Sequence, residues 1–427
     1  MNPRFCFLVI VILCVSLAKT GSATTITDLL DAVAKQPAVA VTELEIQESA
    51  LNKQAVTDSL YPKFSLFGRG EMYNSPTNLR PMSPTEVNIA AGESIPFSRN
   101  ILRYGLAVQM PVYTGKIYAL RDKLDVLTQK AKVENRINLV TRQAGVVAIN
   151  SSFQYLTNLD KAVSARIKSL ERTRDDLRLK VKNGRSSEAE LMKINNLLIE
   201  LSQQENDLQS MVLDVQQNLN KLTDVKIFLP VSMEMDTPFE NSTFIGVQKD
   251  ELQVTAAQKQ MAVAKAAYYP VVSLYGTLSG NDGEAYNTGD AIHRDYHSAG
   301  LVVSFPLFDK TLKTQKSIAG VQLAKARNQL DNTKIEVNAV FENLQQKLPI
   351  VERSLELAKQ SVKNNEQLLK IAKVSFDLGR TTTEDYLDYE SRVLAAQATL
   401  HNAMNAKWQI IAQLAILYGT DLRGIIK

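Results

Sequence analysis

The chain has 427 residues, 49 Lys and Arg against 45 Asp and Glu, and a formal net charge of +4. That length accommodates two or three domains, while a charge this mild and this scattered excludes a nucleic-acid surface. Three histidines, no G-x-S-x-G, no P-loop and cysteines only at Cys6 and Cys14 exclude the familiar enzyme constellations, so no catalytic residue and no cofactor is expected.

The N-terminal stretch "MNPRFCFLVIVILCVSLAKTGSA" reads as a secretory signal over residues 1–23. Arg4 supplies the positive end, Phe5 to Ala18 the apolar run and Gly21-Ser22-Ala23 a small-residue cleavage site. The run is shorter than the ~20 apolar residues of a spanning helix. Cleavage after Ala23 removes both cysteines, leaving a mature chain without disulfides or thiolate metal ligands.

Beyond the signal the sequence is written twice. "SLYPKFSLFGRGEMY" from Ser59 is matched by "AYYPVVSLYGTLSG" from Ala267, each with a Tyr-Pro pair, Tyr61-Pro62 and Tyr269-Pro270, ahead of an alternating stretch. "YGLAVQMPVYTGK" from Tyr104 pairs with "AGLVVSFPLFDKT" from Ala299, and "NGRSSEAEL" from Asn183 with "LGRTTTEDYL" from Leu378. The first match is offset by 208 residues and the later two by 195, so the 13-residue difference falls in one connection between strands, where loops tolerate insertions.

Residues 24–227 form the first repeat: a helix, strands about 62–73 and 102–112, and long helices about 116–182 and 187–223. Residues 228–247 are a linker, expected in an equatorial region. Residues 248–427 repeat the plan with a helix, strands about 270–280 and 297–308, and helices about 311–378 and 382–418. Lys116 to Lys182 alone is 67 residues, ~100 Å as a helix. Leu191, Ile194, Leu198, Leu201, Leu208, Val212, Val215, Leu219 and Leu222 then follow coiled-coil spacing. Pro349, at the position matched by Gln154 in the first repeat, predicts a kink in the third long helix.

The strands alternate cleanly. Phe64, Leu66 and Met72 oppose Lys63, Ser65, Arg69 and Glu71; Leu102, Leu106 and Val108 oppose Arg103 and Gln109. An apolar face on this pattern needs either a second protein layer or lipid, and no leftover segment supplies the layer. Four strands cannot close a barrel, and an open edge in lipid leaves backbone groups unsatisfied. Membrane strands therefore imply a homo-oligomer.

The signal, the duplication, the paired Tyr-Pro strand entrances and the two Gly-Arg-Ser/Thr turns together resemble the TolC-type outer-membrane efflux and secretion channels over about residues 26–422. The resemblance implies an α fold with transmembrane β: a homotrimeric 12-stranded β-barrel, four strands per chain, continuing into a long periplasmic α-helical barrel. It implies a passive exit duct in the outer membrane of a Gram-negative bacterium, opened by a periplasmic adaptor and an inner-membrane pump or secretion ATPase, with the connections 74–101 and 281–296 facing the exterior. A periplasmic coiled-coil adaptor or scaffold is the alternative; it accounts for the heptads but not the strands.

At the far end, Gly184 and Gly379 suit left-handed helix C-caps. Ser187 with Glu190, and Thr381 with Glu384, read as capping boxes. By resemblance, Gly184, Arg185, Ser186, Gly379, Arg380 and Thr381 meet the adaptor, and Asp385 and Asp388 ring the periplasmic entrance, although acids in a first helical turn are also explained by the helix dipole. Where such channels lock the tip with a tyrosine and an arginine, Phe376 and Thr381 stand here, while Glu190 keeps an acid. "HRD" at His293–Asp295 lacks the accompanying kinase motifs; His293 and His297 have the spacing to share a helix face as metal ligands, yet they are expected in a short exterior loop without carboxylate or Cys partners in a ligand spacing, so no metal site is expected.

Overall fold

A computed structural model describes residues 25–83, 85–88, 91–239 and 243–427; the secretory segment expected over residues 1–23 lies outside them. After α1 (Ile26–Ala34), the chain runs α2 (Pro37–Asp58), β1 (Lys63–Asn78), β2 (Phe97–Thr114), α3 (Gly115–Lys182) and α4 (Glu188–Thr223). It then repeats that order as α5 (Ile245–Ala266), β3 (Val271–Glu284), β4 (Ala291–Ser304), α6 (Lys310–Asp377) and α7 (Thr383–Tyr418). The duplication is metrically regular. α2 and α5 have 22 residues each, α3 and α6 have 68, and α4 and α7 have 36.

α2 and α5 each end just before a Tyr-Pro pair. Proline has no N–H to give a ladder and cannot continue a helix, so it suits the seam between the two. Pro62 and Pro270 are each followed by the first residue of a strand, Lys63 and Val271. The four strands form one antiparallel sheet in the order β1-β2-β3-β4. β3 and β4 pair from Val271↔Ser304 to Glu284↔Ala291, so only residues 285–290 connect them. The exterior connection expected over residues 281–296 is thus largely strand, because the alternation continues through Asp282, His293 and Asp295.

One sheet face is apolar and bare. Leu66 and Met72 are 85% and 86% exposed, and Phe64, Leu278, Leu301 and Val303 share that face. Below the sheet the helices pack along heptad seams. Val163, Leu170 and Leu177 of α3 meet Ile194, Leu198, Leu201 and Leu208 of α4, the spacing of knobs into holes.

Midway, α1, the centre of α3 and the chain's last residues share a core containing Leu29, Val147, Phe153, Ile227 and Ile426. Asn150 pins the linker there from both sides, donating to the Val231 carbonyl at 2.7 Å and accepting from the Val231 N–H at 3.0 Å. Met235 pairs with Ile426 in an isolated antiparallel bridge.

Towards the far end of the helices a polar cluster is buried between α3 and α7. The Tyr386 hydroxyl, fully buried, donates to Glu390 at 2.7 Å, and Ser169 donates to the same carboxylate at 2.8 Å. Burial and the Glu390 carboxylate push the Tyr386 phenol up to about 12. Phe376 stacks on Tyr386 with ring centroids 4.8 Å apart. Arg166, also buried, gives one hydrogen bond, to the Leu387 carbonyl at 3.3 Å, and its Nε and Nη1 have no partner; burial lowers its guanidinium while Glu390 opposes that shift.

Tyr386→Phe keeps the ring stack and removes a donor from a buried carboxylate. It should destabilise the protein by about 1–3 kcal/mol, read as a lowered thermal midpoint by circular dichroism. Ser169→Ala should do likewise through the same acceptor.

Candidate functional site: the helical turns and the sheet wall

Two places in the fold concentrate side chains that packing alone does not require: the α3–α4 and α6–α7 turns, and the polar face of the sheet.

The two turns are built alike. Gly184 has φ +69° and Gly379 φ +73°, left-handed values that L side chains disfavour. In the first, the Arg185 N–H reaches Lys180 O at 2.8 Å and the Gly184 N–H reaches Val181 O at 2.9 Å. In the second, the Arg380 N–H reaches Ser375 O at 2.8 Å and the Gly379 N–H reaches Phe376 O at 2.9 Å. This double pairing is the Schellman termination.

The next helices start with side-chain caps. Ser187 accepts from the Glu190 N–H, and Glu190 accepts from the Ser187 N–H and the Ser186 hydroxyl. In the second copy the cap is Thr382 with Asp385, not Thr381 with Glu384. Thr382 Oγ1 accepts from the Asp385 N–H at 3.0 Å and donates to its carboxylate at 2.6 Å. The run of three threonines before Glu384-Asp385 offers both readings, and the 195-residue repeat register, which maps Ser187 onto Thr382, decides between them.

The turns lie side by side: Lys193 Nζ is 3.1 Å from Glu384. Such an exposed pair contributes little, but it fixes the neighbourhood. Asp388 pairs with Arg392 at 2.7 Å one helical turn on, so both acids of the expected ring have partners on their own helix. Phe376 is buried under Tyr386 with Lys180 Nζ 5.2 Å from its ring centroid, and Glu190 is spent on its cap. Arg185 and Arg380 are exposed, and neither has an acidic partner among the described residues.

On the sheet, Arg103 is a hub. Its Nε lies 2.7 Å from Glu71, and its terminal nitrogens donate to Asn281 Oδ1 at 2.9 Å, to Asn78 O at 3.0 Å and to Leu79 O. The chain leaving β1 is thereby folded back over the polar face, where Leu79 is buried with Ile101, Ala285 and Ile292. On the apolar face towards the same end, His293 holds Asp282 at 2.7 Å through Nδ1 and Asp295 at 3.1 Å through Nε2. His293 and His297 are in β4, not on a helix or in a loop, and four strand residues separate them by ~13 Å, too far to share an ion.

The Tyr386–Glu390–Arg166 cluster and the role of Arg103 were not singled out by sequence reasoning. Both depend on which distant segments meet, α3 with α7 and β2 with β3.

Residues 246–420 match the family model described as outer membrane efflux protein. No curated protein matches the sequence. Among solved structures, the CmeC outer membrane channel of Campylobacter jejuni superposes with a TM-score of 0.76 at 16% identity, covering 92% of this chain and 85% of its own. The outer membrane protein VceC of Vibrio cholerae gives 0.75 at 16%, covering 92% and 96%. The open state of the MtrE outer membrane channel of Neisseria gonorrhoeae gives 0.71 at 14%, covering 93% and 89%. At these identities the likeness carries the fold across nearly the full length, and the family model carries the second repeat. The chain thus shares the fold of these outer-membrane channels over 92–93% of its length, and residues 246–420 within it match the outer membrane efflux protein family model.

Proposed function

We propose that three copies of this chain form an outer-membrane efflux duct, a passive channel-tunnel that completes a tripartite efflux or type I secretion system. The observation that carries this reading is the four-stranded sheet with one bare apolar face and two unpaired edges, β1 and β4. In lipid those edges need partners, at several kcal/mol for each unsatisfied group, and the β4 edge of one copy is the available partner for the β1 edge of the next.

The helices support the same assembly. Val321, Ile335, Ile350, Leu357 and Ile371 are exposed along α6 at or near multiples of seven residues, and Val41, Leu44 and Leu51 are exposed along α2. Heptad stripes of this kind are seams waiting for a helix. Joining copies along them makes a helical barrel beneath the β-barrel, most of whose mass then lies in the periplasm.

In this reading the two turns form the periplasmic tip. Gly184, Arg185, Ser186, Gly379, Arg380 and Thr381 are the docking surface for a periplasmic adaptor. The free, exposed guanidinium groups of Arg185 and Arg380 are its polar anchors. Asp385 and Asp388 ring the entrance, their charge partly offset by the Thr382 cap and by Arg392.

A photo-cross-linking residue in place of Arg380 in living cells should trap a periplasmic adaptor. Capture of only further copies of this chain, at full incorporation, would move the docking site elsewhere. In planar bilayers the trimer should show discrete conductance steps, and Asp385→Ala with Asp388→Ala should lower its preference for cations at the entrance; an unchanged preference removes these two acids from the conduction path.

A further inference from the structure

Four residues from four strands stand side by side on the polar face of the sheet. Arg69 is opposite Arg103, Arg103 opposite Asn281, and Asn281 opposite Arg294. Among the paired positions of that face, Lys63, Arg69, Arg103 and Arg294 are cationic and Glu71 is the only acid, four against one, which leaves three positive charges in excess per chain. Asp282, Glu284 and Asp295 all fall on the opposite, apolar face.

The arrangement runs against sheet stability. Like charges directly opposite each other on neighbouring strands are unfavourable. Glu71 offsets one pair by lying 3.2 Å from Arg69 and 2.7 Å from Arg103. Arg103 is then fully used as a positioning residue for the folded-back chain at Asn78 and Leu79. Arg69 keeps a side chain 70% exposed, and Arg294 has no acidic partner among the described residues, only the His293 carbonyl at 2.9 Å.

We infer that the β-barrel section of the duct is an anion-attracting wall and that the cargo it passes carries net negative charge. This rests on the channel reading above, in which the apolar face meets lipid and the polar face lines the lumen. Closure by three copies turns the row into a band of nine arginines, sloping with the strand tilt. Fixed guanidinium groups on a wall backed by hydrocarbon concentrate anions from solution, and rings of Arg or Lys favour anions in pores. Lumen-facing positions are also where substitutions tune selectivity in barrels of this kind.

The test uses the full-length trimer in planar bilayers with the entrance acids neutralised (Asp385→Ala, Asp388→Ala), so that the barrel dominates the zero-current potential in a KCl gradient. Near 10 mM salt, where screening reaches ~30 Å, chloride should be preferred over potassium by roughly twofold or more, and near 1 M, where it reaches ~3 Å, the preference should vanish. Arg69→Gln with Arg294→Gln should bring the ratio close to unity, and Arg69→Lys with Arg294→Lys should retain it. A potassium preference at low salt, or a ratio unmoved by the Gln pair, overturns the inference while leaving the channel intact. If the Gln pair does not assemble, the salt dependence and the Lys pair decide the matter. An absence of any conductance step in the unaltered protein overturns the channel reading, and the wall with it.

Discussion

The unpaired edges of β1 and β4 govern the whole architecture. A backbone N–H or C=O in hydrocarbon has no water to turn to, so a sheet of four strands is not an acceptable end state for a chain in a bilayer. Each copy must offer one edge and accept another. The helices beneath would inherit that geometry in the proposed assembly, because α3 grows directly from the end of β2 and α6 follows β4 after five residues. Assembly is therefore a condition of placing the strands in a membrane at all, and the exposed stripes on α2 and α6 extend the same requirement downwards.

The two ends of the fold are built by different means. The sheet end is held by cross-strand register and by Arg103, whose hydrogen bonds join three strands and, through Leu79 O, the chain beyond β1. The turn end is held by local terminators and caps that each repeat supplies for itself, together with a small buried cluster centred on Tyr386 and Glu390. Local devices survive duplication intact, which explains why the two turns are near copies while the strand connections differ in length.

Much of this was legible in the sequence because the signals were local. Tyr-Pro before an alternating run marks a helix end and a strand start without reference to anything distant, and glycine after a long helix marks a left-handed cap. Where the reading slipped, a local rule had two solutions. Thr381 and Thr382 both precede an acid at capping distance, and only the repeat register separates them. The connection expected over residues 281–296 is instead mostly strand, and Asp282 and His293 pair across it. Features that depend on which segments meet were out of reach. Arg69, Arg103 and Arg294 lie far apart in the chain and become a row only through three strand pairings. Arg166 is an ordinary helical arginine in sequence and a buried, under-bonded one in the fold.

The pinning of the linker by Asn150 sets the middle of α3 apart from the middle of its counterpart α6. α3 is gripped at its middle, by the α1 core, by Asn150 and by Gln154, which donates to the same Val231 carbonyl. Its counterpart α6 has Pro349 at the position of Gln154, so it lacks that donor and one link of its own helical ladder. The two matched struts thus differ at mid-length: α3 is tied to the linker by side-chain hydrogen bonds, while α6 runs helical through Pro349 with Leu344, Leu348 and Val351 packed against Ile410, Leu414 and Tyr418. In the proposed trimer, struts tied by polar side chains and struts held by apolar packing would alternate around the axis of the tunnel.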